Sequence, residues 1–173
     1  MFLQNAISKR INDNNPVKVA LIGAGKFGSM FLSQVPSTLG IEVLVIADLK
    51  PDNAVKACKN VGWSDDLINK TKFVDRGADA IKLNEVEVVI EATGFPAAGI
   101  EHARQAFQNG KHIIMVNVEA DVLAGAALVK EANSAGVVYS MAYGDQPALT
   151  AEIVEWARAS GFNVTSAGKG TRY

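Results

Sequence analysis

From Val17 to Gly168 the chain alternates short β-branched runs with longer segments of helical periodicity, and no other feature narrows the possible folds as far. The runs VKVALIG (17–23), IEVLVIAD (41–48), VEVVIEATG (86–94), KHIIMVN (111–117), GVVYSMA (136–142) and FNVTSAG (162–168) read as strands. Several are almost continuously apolar, as strands covered on both faces by helices must be. The intervening KFGSMFLSQV, PDNAVKACKNVG, PAAGIEHARQAFQNG, ADVLAGAALVKEANSAG and DQPALTAEIVEWARASG carry helical signals. In the last, Leu149, Ile153 and Trp156 share one face at spacings of four and three. Gly110, Gly136 and Gly161 stand where helix C-caps belong. A sustained βαβ alternation predicts a parallel sheet with right-handed crossovers. The expected fold is α/β, a Rossmann-type doubly wound sheet in three αβα layers.

Residues 63–84 are the weakest part of the pattern and predict a short helix, a poor strand near Lys72–Val74 and another short helix. Residues 1–15 predict a polar helical extension outside the sheet, and residues 16–173 the dinucleotide-binding domain. Trp63 and Trp156 read as packing residues.

The first βαβ unit carries the most specific chemistry. LIGAGKFGSM sets Gly23, Gly25 and Gly28 in the G-x-G-x-x-G spacing, after a predicted strand and at the start of a helix. Gly23 permits the tight turn, Gly25 lets backbone approach a pyrophosphate, and Gly28 lets the helix pack on the strand. Ala24, Lys26 and Phe27 complete the loop, and the helix N-terminus offers its free N–H groups to phosphate. Asp48 ends the second strand, twenty residues after Gly28. Its carboxylate suits the two ribose hydroxyls of NAD and repels the 2′-phosphate of NADP. The simpler reading of Asp48 is a turn residue before Pro51. Lys50 keeps NADP open, so the cofactor is NAD or NADP with NAD favoured slightly. Ala92, Thr93 and Gly94 end the fourth expected strand and should lie along the cofactor. Asn117 ends the next, on the same rim, where its amide can bond a carboxamide or a ribose hydroxyl. Glu119 and Asp121 equally suit the start of the following helix.

Reduction of a carbonyl also needs a donor to the developing alkoxide. Lys169, between Gly168 and Gly170, is the candidate for that donor or for a substrate anchor, with Asp145 to orient it; a solvated lysine and a helix-capping aspartate are the plain alternatives. Arg172 could hold an anionic substrate. His102 and His112 form no pair by spacing and read as structural. No Cys/His cluster has metal-ligand spacing, and G-x-S-x-G is absent.

The glycine loop, ADLKPDNAVKAC, VVIEATGFPAAG, HIIMVNVEADVLAG, MAYGDQPA and AGKGTRY together resemble the nucleotide-binding domain of homoserine dehydrogenase-like proteins. Within these they are most similar to a subgroup that includes the deoxyxylulose phosphate reductoisomerase-like enzymes. The resemblance covers nearly the whole chain after residue 10. It implies the cofactor half of an NAD(P)-dependent oxidoreductase that acts on a small polar hydroxy or keto substrate. Its catalytic and oligomerising portion, and hence a homo-oligomer, is expected outside these residues, so that the chain alone would turn over poorly. Homoserine dehydrogenases proper carry Asn-Lys where this chain has Asn117-Val118, and a valine can neither hold phosphate nor move a proton. A non-catalytic module that senses NAD(H) is the alternative, needing the glycine loop and Asp48 but not Lys169 or Asp145.

A net charge of -1 without a basic block gives no sign of a nucleic-acid or membrane-surface partner. One cysteine, Cys58, excludes an intrachain disulfide. With no apolar leader in MFLQNAISKRINDNNP, the expectation is a cytoplasmic protein.

Overall fold

The computed structural model describes residues 3–142 and 146–168. Its elements run α1 (Leu3–Asn12), β1 (Val17–Ile22), α2 (Lys26–Gln34) with a 3-10 turn at Val35–Ser37, β2 (Ile41–Ala47), α3 (Pro51–Asn60), α4 (Asp65–Lys70), β3 (Lys72–Val74), α5 (Gly77–Ile81), β4 (Val88–Glu91), α6 (Pro96–Gln108), β5 (His112–Met115), α7 (Val118–Ala135), β6 (Tyr139–Met141) and α8 (Gln146–Ala159). The six strands form one sheet in the order β3-β2-β1-β4-β5-β6. Every pairing is parallel. This is the doubly wound α/β fold, whose strand order reverses between β1 and β4.

Side chains alternate across the pleat, and β1 shows the consequence. Ala20 and Ile22 join a core with Ala80, Ala103, Phe107 and Leu128, under α5, α6 and α7. Val19 and Leu21 join the opposite core with Leu32, Ala54, Cys58 and Ile68, under α2, α3 and α4. The sheet is thus covered on both faces, which is why its strands read as continuous apolar runs rather than alternating ones. Leu32 is fully buried, a transfer worth about 1.5–3 kcal/mol. Trp63 packs in the same layer and donates its indole N–H to Leu32 O at 2.8 Å. Burial also pushes the Cys58 thiol up to about 11.

The weak stretch forms α4, β3 and α5. Ser64 caps α4 by accepting from Leu67 N–H at 3.3 Å. Three residues of β3 suffice for pairing because β2 offers Val45–Ala47 as a template. Helix α1 lies outside the sheet, with Ile7 and Ile11 against Gly40 and Arg10 paired to Glu87 through both terminal guanidinium nitrogens.

Two expectations fail. Phe162–Gly168 forms no strand: the backbone there is irregular, and Phe162 is exposed. An extended run becomes a strand only beside a partner, and among the described residues β6 is the last strand of the sheet. Phe162 N–H instead closes the end of α8 by donating to Ala157 O at 3.0 Å. Trp156, expected to pack, is 69% exposed, and Ile153 beside it on the same helix face is 65% exposed.

Candidate cofactor site

The carboxyl ends of β1, β2 and β4 converge at the reversal of strand order, where open α/β sheets hold their ligands. Gly23 follows β1 with φ +97°, a conformation side chains resist. A Cβ there would also lie 2.7 Å from Ala92 O. The turn is held by Gly23 N–H, which donates to Ala47 O at 2.8 Å. Gly28, one turn into α2, brings that helix against the turn so closely that a Cβ would lie 2.3 Å from Gly23 O. Gly25 is different in kind. It caps α2 with φ -70° and ψ -155°, without a side-chain hydrogen bond, and a Cβ on it would meet nothing within 4 Å. Two of the three glycines therefore satisfy the protein's own packing, whereas the third leaves open space in front of a helix N-terminus. Lys26 and Phe27 are exposed on the first turn of α2.

Asp48 stands at the end of β2 and accepts Ala24 N–H at 3.1 Å and Lys50 N–H at 3.0 Å. Its carboxylate thus ties the glycine loop to the β2–α3 turn while remaining partly exposed. A cleft of about 750 Å³ opens beside it, lined by Gly23, Gly25, Asp48, Ala92 and Thr93 among the residues singled out from sequence. The far wall comes from Asp75, Arg76 and Gly77 before and at the start of α5, and from Glu101, His102 and Gln105 on α6. Sequence reading missed this wall. The pairing of β3 with β2 brings Asp75 and Arg76 in, since Asp48 N–H donates to Val74 O at 3.0 Å. Lys50 does not line the cleft; the cation that does is Arg76.

On the β4–α6 turn, the exposed Gly94 adopts φ +68°. Asn117 is 2% exposed. Its Oδ1 accepts Ala120 N–H at 3.2 Å, capping α7. Its amide donates to Phe95 O at 3.0 Å and to Thr93 Oγ1 at 3.4 Å. It therefore braces the turn from β4 into α6 from beneath the rim. Glu119 and Asp121 fall in the first turn of α7, and Tyr139 O–H donates to Asp121 Oδ1 at 2.7 Å. Burial, and the bond to that carboxylate, push the Tyr139 phenol well above its ordinary value. Lys169, Asp145 and Arg172 lie outside the described residues.

A parallel sheet with its order reversed at a glycine-lined turn, an unobstructed helix N-terminus and a carboxylate at the end of the second strand define a dinucleotide-binding Rossmann domain. Residues 23–142 match the family model described as homoserine dehydrogenase, NAD binding domain, and the chain belongs to that family. Residues 144–173 match a second model, oxidoreductase DRL, catalytic domain. No curated protein matches the sequence.

Solved structures share the fold at low identity. A homoserine dehydrogenase from Thiobacillus denitrificans is 21% identical with a TM-score of 0.62, over 73% of this chain and 29% of that one. A myo-inositol dehydrogenase from Lactobacillus casei, in complex with NAD(H) and myo-inositol, is 16% identical with a TM-score of 0.65, over 84% of this chain and 42% of that one. A 3-ketoreductase from Actinomadura kijaniata, in complex with TDP-benzene and NADP, is 17% identical with a TM-score of 0.62, over 84% of this chain and 44% of that one. The chain thus spans less than half the length of these proteins. Residues 23–142 are the NAD-binding domain of an oxidoreductase family. No helix among the described residues is long and apolar enough to cross a membrane.

Proposed function

We propose that this domain holds the cofactor of a dehydrogenase or reductase that interconverts a hydroxyl and a carbonyl on a small polar substrate. The observation that carries the reading is Gly25, an N-cap facing open space, beside a partly exposed carboxylate at Asp48. The pyrophosphate sits at the Gly23–Gly25 turn, where the free N–H groups of α2 and the positive end of its dipole favour an anion. Ala24, Lys26, Phe27 and Gly28 form the rest of that loop. Asp48 accepts the adenosine ribose hydroxyls with the lone pairs that Ala24 and Lys50 leave free. The adenine enters the cleft beside Arg76, and Ala92, Thr93 and Gly94 let the dinucleotide pass towards β5, with Asn117 holding their turn in place.

The bound nicotinamide supplies or accepts the hydride. Lys169 donates to the substrate oxygen and Asp145 orients it, and the portion that excludes water is a catalytic domain beginning near residue 144. The likeness of residues 144–173 to a catalytic domain supports that division, and the NAD(H) and NADP in two of the structural neighbours support a nicotinamide cofactor. Asp48 makes NAD the preferred cofactor, with Arg76 the residue able to offset its charge towards NADP. We take the whole protein to be a cytoplasmic homo-oligomer.

Calorimetric titration with NAD+, NADH, NADP+ and NADPH tests the reading. Micromolar binding of one pair, stronger for NAD, is the expected result. No heat with any of the four, at concentrations that would reveal a millimolar constant, would overturn it.

A further inference from the structure

Glu91 is the last residue of β4 and is completely buried. Burying a carboxylate is unfavourable unless it is paired and hydrogen-bonded, so its partners decide whether it is tolerated. Thr93 donates to Glu91 Oε1 through both its hydroxyl, at 2.5 Å, and its N–H, at 3.3 Å. His102 Nδ1 on α6 stands 3.3 Å from the same oxygen, with its side chain 15% exposed. The other oxygen, Oε2, has no hydrogen-bond partner among the described residues and lies beside Gly99 of α6, where a Cβ would stand 3.2 Å from it. All of the carboxylate's hydrogen bonding thus converges on the turn that follows β4 and on one imidazole.

That imidazole has a second neighbour. A Cβ built on Gly77 would lie 2.5 Å from His102 Nε2 and 2.9 Å from two ring carbons. The ring therefore lies directly on the backbone at the start of α5, the segment that brings Asp75 and Arg76 into the cleft. One edge of His102 holds the Ala92–Thr93 wall through Glu91, and the other sets how near the Asp75–Gly77 wall can come. An N–H at Nδ1 is the donor the carboxylate requires, and Nε2 is the ring edge that lies against Gly77.

We propose that His102 is the positioning residue that sets the width of the cofactor cleft at its adenosine end, by bridging Glu91 to Gly77. This rests on the cofactor reading given above. His102 need not touch the ligand to act; it fixes two backbone segments that do.

The contact with Gly77 supplies a discriminating test. Gly77→Ala drives a methyl group into the ring, and His102→Ala removes the ring and makes room for that methyl. Each single variant is expected to weaken NAD binding about tenfold, the effect of losing one hydrogen bond's worth of positioning. In the double variant, adding Gly77→Ala to His102→Ala costs nothing further, because the atoms it displaces are gone. His102→Asn keeps a donor near Nδ1 and should recover most of the affinity, whereas His102→Phe keeps the bulk and should not. Additive losses in the double variant, or equal binding by His102→Asn and His102→Phe, would overturn the inference.

Amide hydrogen exchange on the same variants without cofactor gives an answer independent of the cofactor assignment. Faster exchange at both Thr93 and residues 75–79 in His102→Ala, with the β1 amides unchanged, is expected. Loosening confined to α6, or spread through the sheet, would refute the bridge. If the wild-type chain bound no dinucleotide, the proposed function would fall while this exchange pattern still decided the role of His102.

Discussion

A methyl group on Gly25 and a methyl group on Gly28 should have different consequences for stability, although both glycines belong to one motif. At Gly25 the backbone angles are φ -70° and ψ -155°, open to any L-residue, and the added Cβ meets no protein atom within 4 Å. Gly25→Ala should therefore fold normally. Restricting the unfolded chain adds about 0.4–1 kcal/mol, but alanine caps a helix less well than glycine by a similar amount, so Tm should change little. The same methyl occupies the space through which the pyrophosphate must reach the α2 amides. Losing two charge-assisted hydrogen bonds at about 1.5 kcal/mol each lowers affinity by about a hundredfold. At Gly28 the Cβ would lie 2.3 Å from Gly23 O, a backbone atom. Overpacking of this kind costs about 1–3 kcal/mol, offset by about 1 kcal/mol of helix propensity. Gly28→Ala should thus lose up to about 2 kcal/mol of stability, and binding falls because the turn moves. Urea unfolding followed by circular dichroism, with titration of NAD+ on the same samples, reads both quantities. A Gly25→Ala variant that binds as tightly as wild type would show that the open space at the N-cap is not the pyrophosphate's approach.

Asp48→Asn keeps the acceptor for Ala24 N–H and removes the charge; NAD affinity should fall roughly tenfold and NADP affinity rise, and unchanged selectivity would remove Asp48 from cofactor choice. With its thiol raised to about 11, Cys58 is only about one part in a thousand thiolate at pH 8. It should react with an aromatic disulfide only after urea is added, and prompt reaction without denaturant would contradict its burial. Arg10 holds the Glu87 carboxyl below its ordinary value, chiefly by hydrogen bonding. A depressed acid adds stability that is complete above the unfolded value of about 4.3 and is lost as pH falls through the folded value. Exchange protection of α1 should accordingly drop below about pH 4 ahead of the sheet, and Arg10→Ala should abolish that step. Tyr139→Phe leaves Asp121 without its donor and should lower stability by about 1 kcal/mol without altering NAD affinity, a separation that titration and melting together would check.

Much of the site is legible in the sequence because its signals are local. A strand, a turn needing positive φ and a helix start follow one another directly and account for Gly23, Gly25 and Gly28, and the end of the next strand places Asp48. The sequence is less explicit where one residue serves two ends. Asp48 is both a turn residue, through Lys50 N–H, and a ligand of the glycine loop, through Ala24 N–H. Asn117 follows β5 on the expected rim, but its amide turns inward to the Phe95 carbonyl, which no spacing could announce.

The sequence by itself determined that a parallel sheet would form, covered on both faces, with a dinucleotide turn after its first strand. Apolar period, capping residues and glycine spacing all act within one or two elements and need no knowledge of the remainder. Only the tertiary structure decided which loops share a cleft. Arg76 reaches the cleft beside Asp48 because β3 pairs with β2, and His102 joins the far wall because α6 lies beside both β4 and α5. Phe162–Gly168 shows the same division from the other side: its residues favour extension, but strand pairing is non-local, and among the described residues this run pairs with no strand. Backbone hydrogen bonds between strands are chosen by the whole sheet, so the contacts they create between distant side chains are written nowhere in the local pattern.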